Sequence, residues 1–335
     1  MPEHSFTVFR GSESGAIKKD TTTRPELKGD ECYLEVTASG LCGTDDHYRK
    51  SGIALGHEGV GIVREVGPAV GHLKKGDRVG WGYEHDSCGH CEQCLIGTET
   101  YCPERKMYGD VDQDQGSFAH GGVWREAFLF KIPDDMADEA AAPLMCGGAT
   151  VFQALHFYPT APTDRVGVVG IGGLGHLAIQ FAAKMGCEVV VFSSTDDKKA
   201  EAMKLGATEF VATKGISELK LAKPINKLLV TTSFLPDWKL FLPLLAPKST
   251  IFPLTVAHGD FSIPYMAFLG GGHTIQASVV APRYVANRML QFAAHHKISP
   301  MTVHYPMTEQ GIEKAMDDLN AGKVRYRAVL FPESK

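Results

Sequence analysis

The sequence predicts an α/β protein in two parts, a β-rich domain with long loops and a doubly wound domain built on a parallel sheet. Three observations predict it. From residue 164 a short apolar run, 165–169, leads into GIGGLG and then into apolar residues at helical spacing: Leu174, Leu177, Ala178, Phe181, Ala182 and Met185. A second strand-like run at 188–192 and a helical stretch at 195–205, with Thr195 as its expected cap, repeat the alternation, and strand-helix-strand-helix order requires a parallel sheet. Before residue 148, by contrast, short runs such as 32–36 and 59–66 stand among Gly, Val and charged turn residues, which is β texture.

The remaining elements follow in chain order. Residues 227–231, 238–245, 250–254 and 274–280 continue the parallel domain, giving it the bounds 149–281. A helical stretch at 284–296, a run at 309–319 and a strand-like run at 324–331 then return to the first domain, so that 1–148 and 282–335 form one unit. No internal repeat or low-complexity segment interrupts this plan.

Composition narrows the function. The 335 residues are 44% hydrophobic and 22% charged, enough to give two domains a core each. Lys plus Arg number 34 against 39 for Asp plus Glu, and no basic block is present to follow a phosphate backbone, which argues against a nucleic-acid partner. The opening MPEHSFTVFR has no apolar core of signal-peptide length, and the apolar runs fall short of a membrane span. A cytoplasmic protein is expected, and in a reducing compartment the cluster of four among its eight cysteines reads as a metal site rather than as disulfides, with Cys32 and Cys187 left as buried filler.

Four of the eight, Cys88, Cys91, Cys94 and Cys102, stand in CGHCEQCLIGTETYC at spacings of 3, 3 and 8. Four thiolates close a tetrahedral shell around zinc and leave no room for substrate, so this zinc is structural; His90 lies inside the loop without being needed as a ligand. Cys42 in GLCGTDDH, His57 with Glu58 in GHEGVG, and Cys146 in LMCGG make a second set. Two thiolates and an imidazole give zinc three protein ligands and one open position, at which an alcohol or carbonyl oxygen is polarised.

The order GLCGTDDH, GHEGVGIV, the cysteine loop, LMCGG and GIGGLG, with the closing VRYRAVLF, resembles the zinc-dependent medium-chain alcohol dehydrogenases, and within them the cinnamyl alcohol dehydrogenase-like branch, over residues 28–332. The resemblance implies a GroES-like catalytic domain and a Rossmann dinucleotide-binding domain. It implies that Cys42, His57 and Cys146 hold a catalytic zinc, that Glu58 is a carboxylate able to exchange onto it, and that Asp45 orients His57. It also implies that Thr44 bonds the substrate oxygen and that His47 exchanges the proton with solvent, a path that the loss of hydride from an alcohol requires in any case. Turn and cap chemistry is the plainer reading of Thr44 and His47.

Gly170, Gly172 and Gly175, with Gly173 and Leu174 between them, form GxGxxG between a predicted strand and helix, where the backbone approaches a pyrophosphate. At the end of the next strand, where an NAD site places a carboxylate, stand Ser193, Ser194 and Thr195, followed by Lys198 and Lys199. Hydroxyls with a cation suit the 2′-phosphate of NADP(H). The alternative is that these hydroxyls only cap a helix and that Asp196 or Asp197 contacts the ribose of NAD.

The link from Cys42 to His57 is 15 positions (57 minus 42), shorter than the resemblance implies, and a reduced channel wall would admit bulky substrates. Tyr48, Trp81, Tyr83 and Trp124 are either walls of an aromatic pocket or core packing. The expected function is a two-zinc, NADP(H)-dependent alcohol dehydrogenase or aldehyde reductase acting on small-molecule alcohol/aldehyde pairs, bulky or conjugated ones above all. The alternatives are a reductase of C=N or conjugated C=C bonds and a non-catalytic zinc and nucleotide binder. The resemblance also implies a homodimer, with 274–280 as the joining edge.

Overall fold

The computed structural model describes residues 3–254, 256 and 259–333, in two compact units. The first comprises residues 1–149, 280–295 and 299–335, and the second residues 150–279 and 296–298.

The first unit is built on a seven-stranded sheet. Its long central strand, Glu31–Leu41, pairs antiparallel with Gly59–Val66, Gly121–Arg125 and Arg327–Phe331. The strand alternates buried Cys32, Leu34 and Val36 with more exposed neighbours, so one face lies on the core and the other toward solvent. From residue 38 both faces are buried, and the strand delivers its last residue, Leu41, directly to Cys42. Trp81 and Trp124 lie in the core of this unit, with ring centroids 5.6 Å apart, and are packing residues rather than exposed walls.

The second unit carries a parallel six-stranded sheet in the order Glu209–Ala212, Glu188–Ser193, Arg165–Val169, Ile225–Val230, Leu245–Pro253, Thr274–Ile275. In chain order this is 3-2-1-4-5-6, the doubly wound arrangement, whose order reverses beside its first strand. Every residue of Arg165–Val169 is buried, as a strand covered on both faces must be. Helix Gly175–Lys184 buries Leu177, Ala178, Phe181 and Ala182 completely, the stripe expected from their spacing.

Three expected elements differ. The stretch 195–205 is a 3₁₀ turn, Asp196–Lys198, followed by helix Lys199–Leu205; Thr195 Oγ1 donates to Asp197 at 2.8 Å instead of capping a backbone N–H. The stretch 238–245 is helical only at Trp238–Phe241, and continues as a 3₁₀ turn, Leu242–Leu244, holding Pro243, which has no N–H to donate. The expected edge strand at 274–280 shrinks to Thr274–Ile275. Among the described residues no helix is long and apolar enough to cross a membrane.

Strand Glu84–Asp86 buries Glu84 with neither carboxylate oxygen hydrogen-bonded. Burial, then the nearby charge of Glu99, pushes its pKa up to about 8. The folded chain therefore keeps a proton that the unfolded chain gives up near the ordinary carboxylate value of about 4.3, and stability falls as pH rises between the two. Glu84→Gln is expected to flatten that alkaline loss in urea unfolding between pH 5 and pH 8, and an unchanged pH slope would contradict it.

Candidate metal and dinucleotide sites

The cysteine loop gathers its four sulfurs locally. The Sγ atoms of Cys88, Cys91, Cys94 and Cys102 all lie within 4.8 Å of one another, with Cys88 to Cys94 at 3.9 Å and Cys91 to Cys94 at 3.6 Å. A disulfide needs about 2.05 Å between sulfurs, whereas the edge of a tetrahedron with 2.3 Å zinc-sulfur bonds is about 3.8 Å, so the spacing fits zinc. Backbone N–H groups support the sulfurs: Cys91 N donates to Cys88 Sγ and Glu104 N to Cys102 Sγ, each at 3.3 Å.

The second set is assembled from distant segments. Cys42 heads the helical turn Gly43–His47, and its N–H donates to Asp45 Oδ2 at 2.9 Å. The other Asp45 oxygen, Oδ1, accepts from His57 Nδ1 at 2.8 Å, and both side chains are completely buried. Cys146 arrives on a π-helical turn, Leu144–Gly148, a backbone form found mostly at functional sites. Ligand atoms of Cys42, His57, Glu58 and Cys146 all lie within 4.8 Å of one another.

Two observations test whether this set suits a cation. His57 Nε2 is buried with no hydrogen-bond partner, although its other nitrogen is locked onto Asp45. The neighbouring Cys146 thiol, more than anything else, holds Cys42 well below the usual thiol range, and the same contact, together with burial, pushes Cys146 well up. Burial pushes His57 down, but Asp45 and Cys42 outweigh it and raise the ring well above the usual histidine range. The buried Cys42 thiolate and Asp45 carboxylate thus favour positive charge at this point, and two cysteine sulfurs with an imidazole are a donor set that suits zinc.

Glu58 is also completely buried, and Arg327 donates to both of its carboxylate oxygens. Burial pushes the Glu58 carboxyl up, and Arg327 pulls it back toward the ionised form. Thr44 Oγ1 lies 3.7 Å from Cys42 Sγ, half-buried. His47 closes the same turn and is exposed, at the rim of a cavity of about 350 Å³ shared with Asp46, Arg49 and Asn320. Of the aromatic residues named from sequence, Tyr83 stands edge-on to His57 at 5.4 Å between centroids, and Tyr48 packs on Tyr108 at 5.3 Å.

Sequence reasoning missed Arg327, Tyr108 and Ser117. Tyr108 lies against the His57 ring at 4.8 Å and accepts from Gly56 N at 3.0 Å, while Ser117 Oγ accepts from Glu58 N at 3.2 Å. Arg327 stood in VRYRAVLF, but nothing near it in sequence points to Glu58.

In the second unit GIGGLG takes the form its glycines require. Gly170 leaves the first strand at φ +92°, a side chain on Gly175 would meet Gly170 O at 2.0 Å, and Gly172 faces open space, where a phosphate can approach. Gly173 and Leu174 complete the turn into helix Gly175–Lys184, whose N-terminus suits an anion. Ser193 ends the second strand and Ser194 and Thr195 follow it, with Lys198 Nζ donating to Ile171 O at 2.9 Å, so a cation sits against the glycine turn. Asp197 is engaged by Thr195.

An alcohol dehydrogenase GroES-like domain model matches residues 28–134, and a zinc-binding dehydrogenase model matches residues 173–295. The chain is 34% identical over 344 residues to a probable formaldehyde dehydrogenase of Bacillus subtilis, covering 98% of each. It is 32% identical over 335 residues to an NADP-dependent alcohol dehydrogenase of Mycolicibacterium smegmatis, covering 95% of each. Among solved structures, a cinnamyl alcohol dehydrogenase of Sorghum bicolor superposes with a TM-score of 0.90 at 30% identity, covering 98% of each chain.

Gly40 adjoins the Glu58 carboxylate so closely that a Cβ there would meet Oε2 at 2.0 Å. Gly40→Ala is therefore expected to drive the carboxylate off Arg327 and to cost about 3–5 kcal/mol, the range for breaking a buried ion pair. Urea unfolding measures it, and a loss below about 1 kcal/mol would show that the pair tolerates displacement.

Proposed function

We propose, for a chain that belongs to the zinc-dependent medium-chain alcohol dehydrogenase family, that it interconverts alcohols and aldehydes with NADP(H), using one zinc held by Cys42, His57 and Cys146 and a second, structural zinc held by Cys88, Cys91, Cys94 and Cys102. The observation that carries this reading is His57 Nε2, buried and unpartnered beside two thiol sulfurs while Nδ1 is fixed by Asp45.

Bound there, zinc supplies Lewis acidity toward an alcohol or carbonyl oxygen, and NADP(H) supplies or takes up the hydride. The protein's residues do the rest. Asp45 fixes the His57 tautomer so that Nε2 keeps its lone pair for the ion. Thr44, beside Cys42, is placed to hold the hydroxyl proton of the substrate, and His47, three residues on and exposed, to exchange that proton with water. Glu58 is a reserve oxygen ligand kept in position by Arg327, able to take a coordination place while substrate is absent.

For the coenzyme, Ser193, Ser194 and Thr195 offer hydroxyls and Lys198 a cation to a 2′-phosphate, and Asp197, held by Thr195, is less free to take the ribose of NAD. Tyr83 beside His57, with Tyr48 packed on Tyr108, favours flat, conjugated aldehydes as substrates. The thiols suit a reducing cytoplasm. A homodimer is supported by the edge strand Thr274–Ile275 and by the neighbouring helix Tyr265–Gly271, which exposes Tyr265, Met266 and Leu269.

An aldehyde panel assayed with NADPH and NADH, together with a metal count, tests the reading. Wild type should carry two zinc ions per chain and favour NADPH; Cys146→Ala should lose one zinc and essentially all carbonyl reduction; Lys198→Ala should raise KM for NADPH alone. Full activity in Cys146→Ala verified to lack that zinc would overturn the mechanism, and higher kcat/KM with NADH would overturn the coenzyme. Light scattering should give the dimer mass, and Met266→Glu with Leu269→Glu the monomer mass; a wild-type monomer that persists across protein concentrations would refute the dimer.

A further inference from the structure

The four-cysteine site has a second, outer group of ligands that the structural zinc does not need. One ring nitrogen of His90, a carboxylate oxygen of Glu104 and Cys88 Sγ all lie within 4.8 Å of one another, so Cys88 belongs to both groups. The two outer residues come from opposite arms of the loop and in the same register, His90 two positions after Cys88 and Glu104 two positions after Cys102. Each is fixed through its own cysteine: His90 Nδ1 donates to Cys88 O at 2.8 Å, leaving Nε2 with a lone pair, and Glu104 N donates to Cys102 Sγ at 3.3 Å.

Burial gives the arrangement a direction. Cys102 is completely buried, Cys88, Cys91 and Cys94 are half-buried, and His90 and Glu104 are exposed. His90 and Glu104 are thus the most water-exposed of the six ligand-type residues gathered here. A hydrated divalent ion surrenders water to a carboxylate and an imidazole readily, and four sulfurs cannot close on it in one event. We propose that Cys88, His90 and Glu104 form an outer landing site through which zinc reaches and leaves the four-cysteine site, Cys88 being the ligand passed from one shell to the other. Each cysteine releases its proton to water as its bond to the ion forms, and His90 and Glu104 let go as Cys91, Cys94 and Cys102 replace them. Closed, the four-thiolate shell excludes both outer ligands, which is why they affect the rate of exchange and not the final affinity.

The proposal rests on the reading of the loop as a zinc site, and exchange kinetics separate the two. Zinc-loaded protein is mixed with excess Cd²⁺, and replacement at the loop is followed by the ultraviolet absorption of cadmium-thiolate bonds; a Cys146→Ala background removes the contribution of the other cysteine-bearing site. His90→Asn combined with Glu104→Gln should slow replacement severalfold, with equilibrium zinc content against a competing chelator unchanged. Glu92→Gln, an exposed carboxylate on the same loop, should have no effect. Equal exchange rates in wild type and double variant would overturn the proposal, as would an equal slowing by Glu92→Gln or a matching loss of equilibrium affinity in the double variant. Wild-type protein with no metal bound to the loop would instead overturn the zinc reading beneath it.

Discussion

The Asp45 carboxylate is the point on which the rest of the reactive site depends. It is completely buried, and its two oxygens hold the backbone N–H of Cys42 and the ring Nδ1 of His57. A carboxylate in such a place costs several kcal/mol unless strong hydrogen bonds and opposite charge meet it. Here those bonds are made to Cys42 and His57, the residues proposed to hold the metal, so the groups that keep Asp45 stable also set the Cys42 backbone and the His57 tautomer. The short link between them works because it is pinned throughout. Residues 43–47 make one helical turn, Leu55 N donates to Phe9 O at 2.9 Å, and Gly56 N donates to Tyr108 at 3.0 Å.

The two cysteine sites reach similar chemistry by opposite routes. In the loop, backbone N–H groups from residues next to the ligands stabilise the sulfurs, and all four ligands fall within fifteen residues. In the open site the ligands span 42 to 146, and their surroundings include an arginine from residue 327. A sealed shell would tolerate half-exposed sulfurs because a bound metal would satisfy them. An open position needs a dry, charge-balanced pocket, and buried Arg327 balances a carboxylate that would otherwise leave excess negative charge there.

This difference explains what could be read in the sequence. Cysteine spacing and GxGxxG are legible because the geometry they need is local: a two-residue gap brings neighbouring sulfurs to one ion, and Gly175 must lack a side chain because the oxygen it would strike belongs to Gly170, five residues away. Helix Gly175–Lys184 was legible for the same reason, through its buried stripe. Arg327, Tyr108 and Ser117 were not, since each acts across a sheet pairing or loop contact that no local spacing records. The shorter extents within 195–205 and 274–280 have a related cause: at 195–198 the chain makes a 3₁₀ turn in which Thr195 bonds Asp197 instead of capping the helix, and strand pairing at 274–280 ends at Ile275.

The same contrast bears on how the two metal sites form. Closing a loop of fifteen residues costs less chain entropy than joining distant segments, and the pairing of Glu84–Asp86 with Lys106–Met107 closes it at its base, so the four-cysteine site assembles from local segments. The open site does not. Arg327 reaches Glu58 only after strand Arg327–Phe331 pairs with Glu31–Leu41 near Gly40, joining segments 269 residues apart. Until then Glu58 lacks the Arg327 counter-charge, and the like charges of Cys42 and Asp45 oppose its ionisation. Docking strand Arg327–Phe331 therefore couples the closing of the sheet to the charge balance around Glu58.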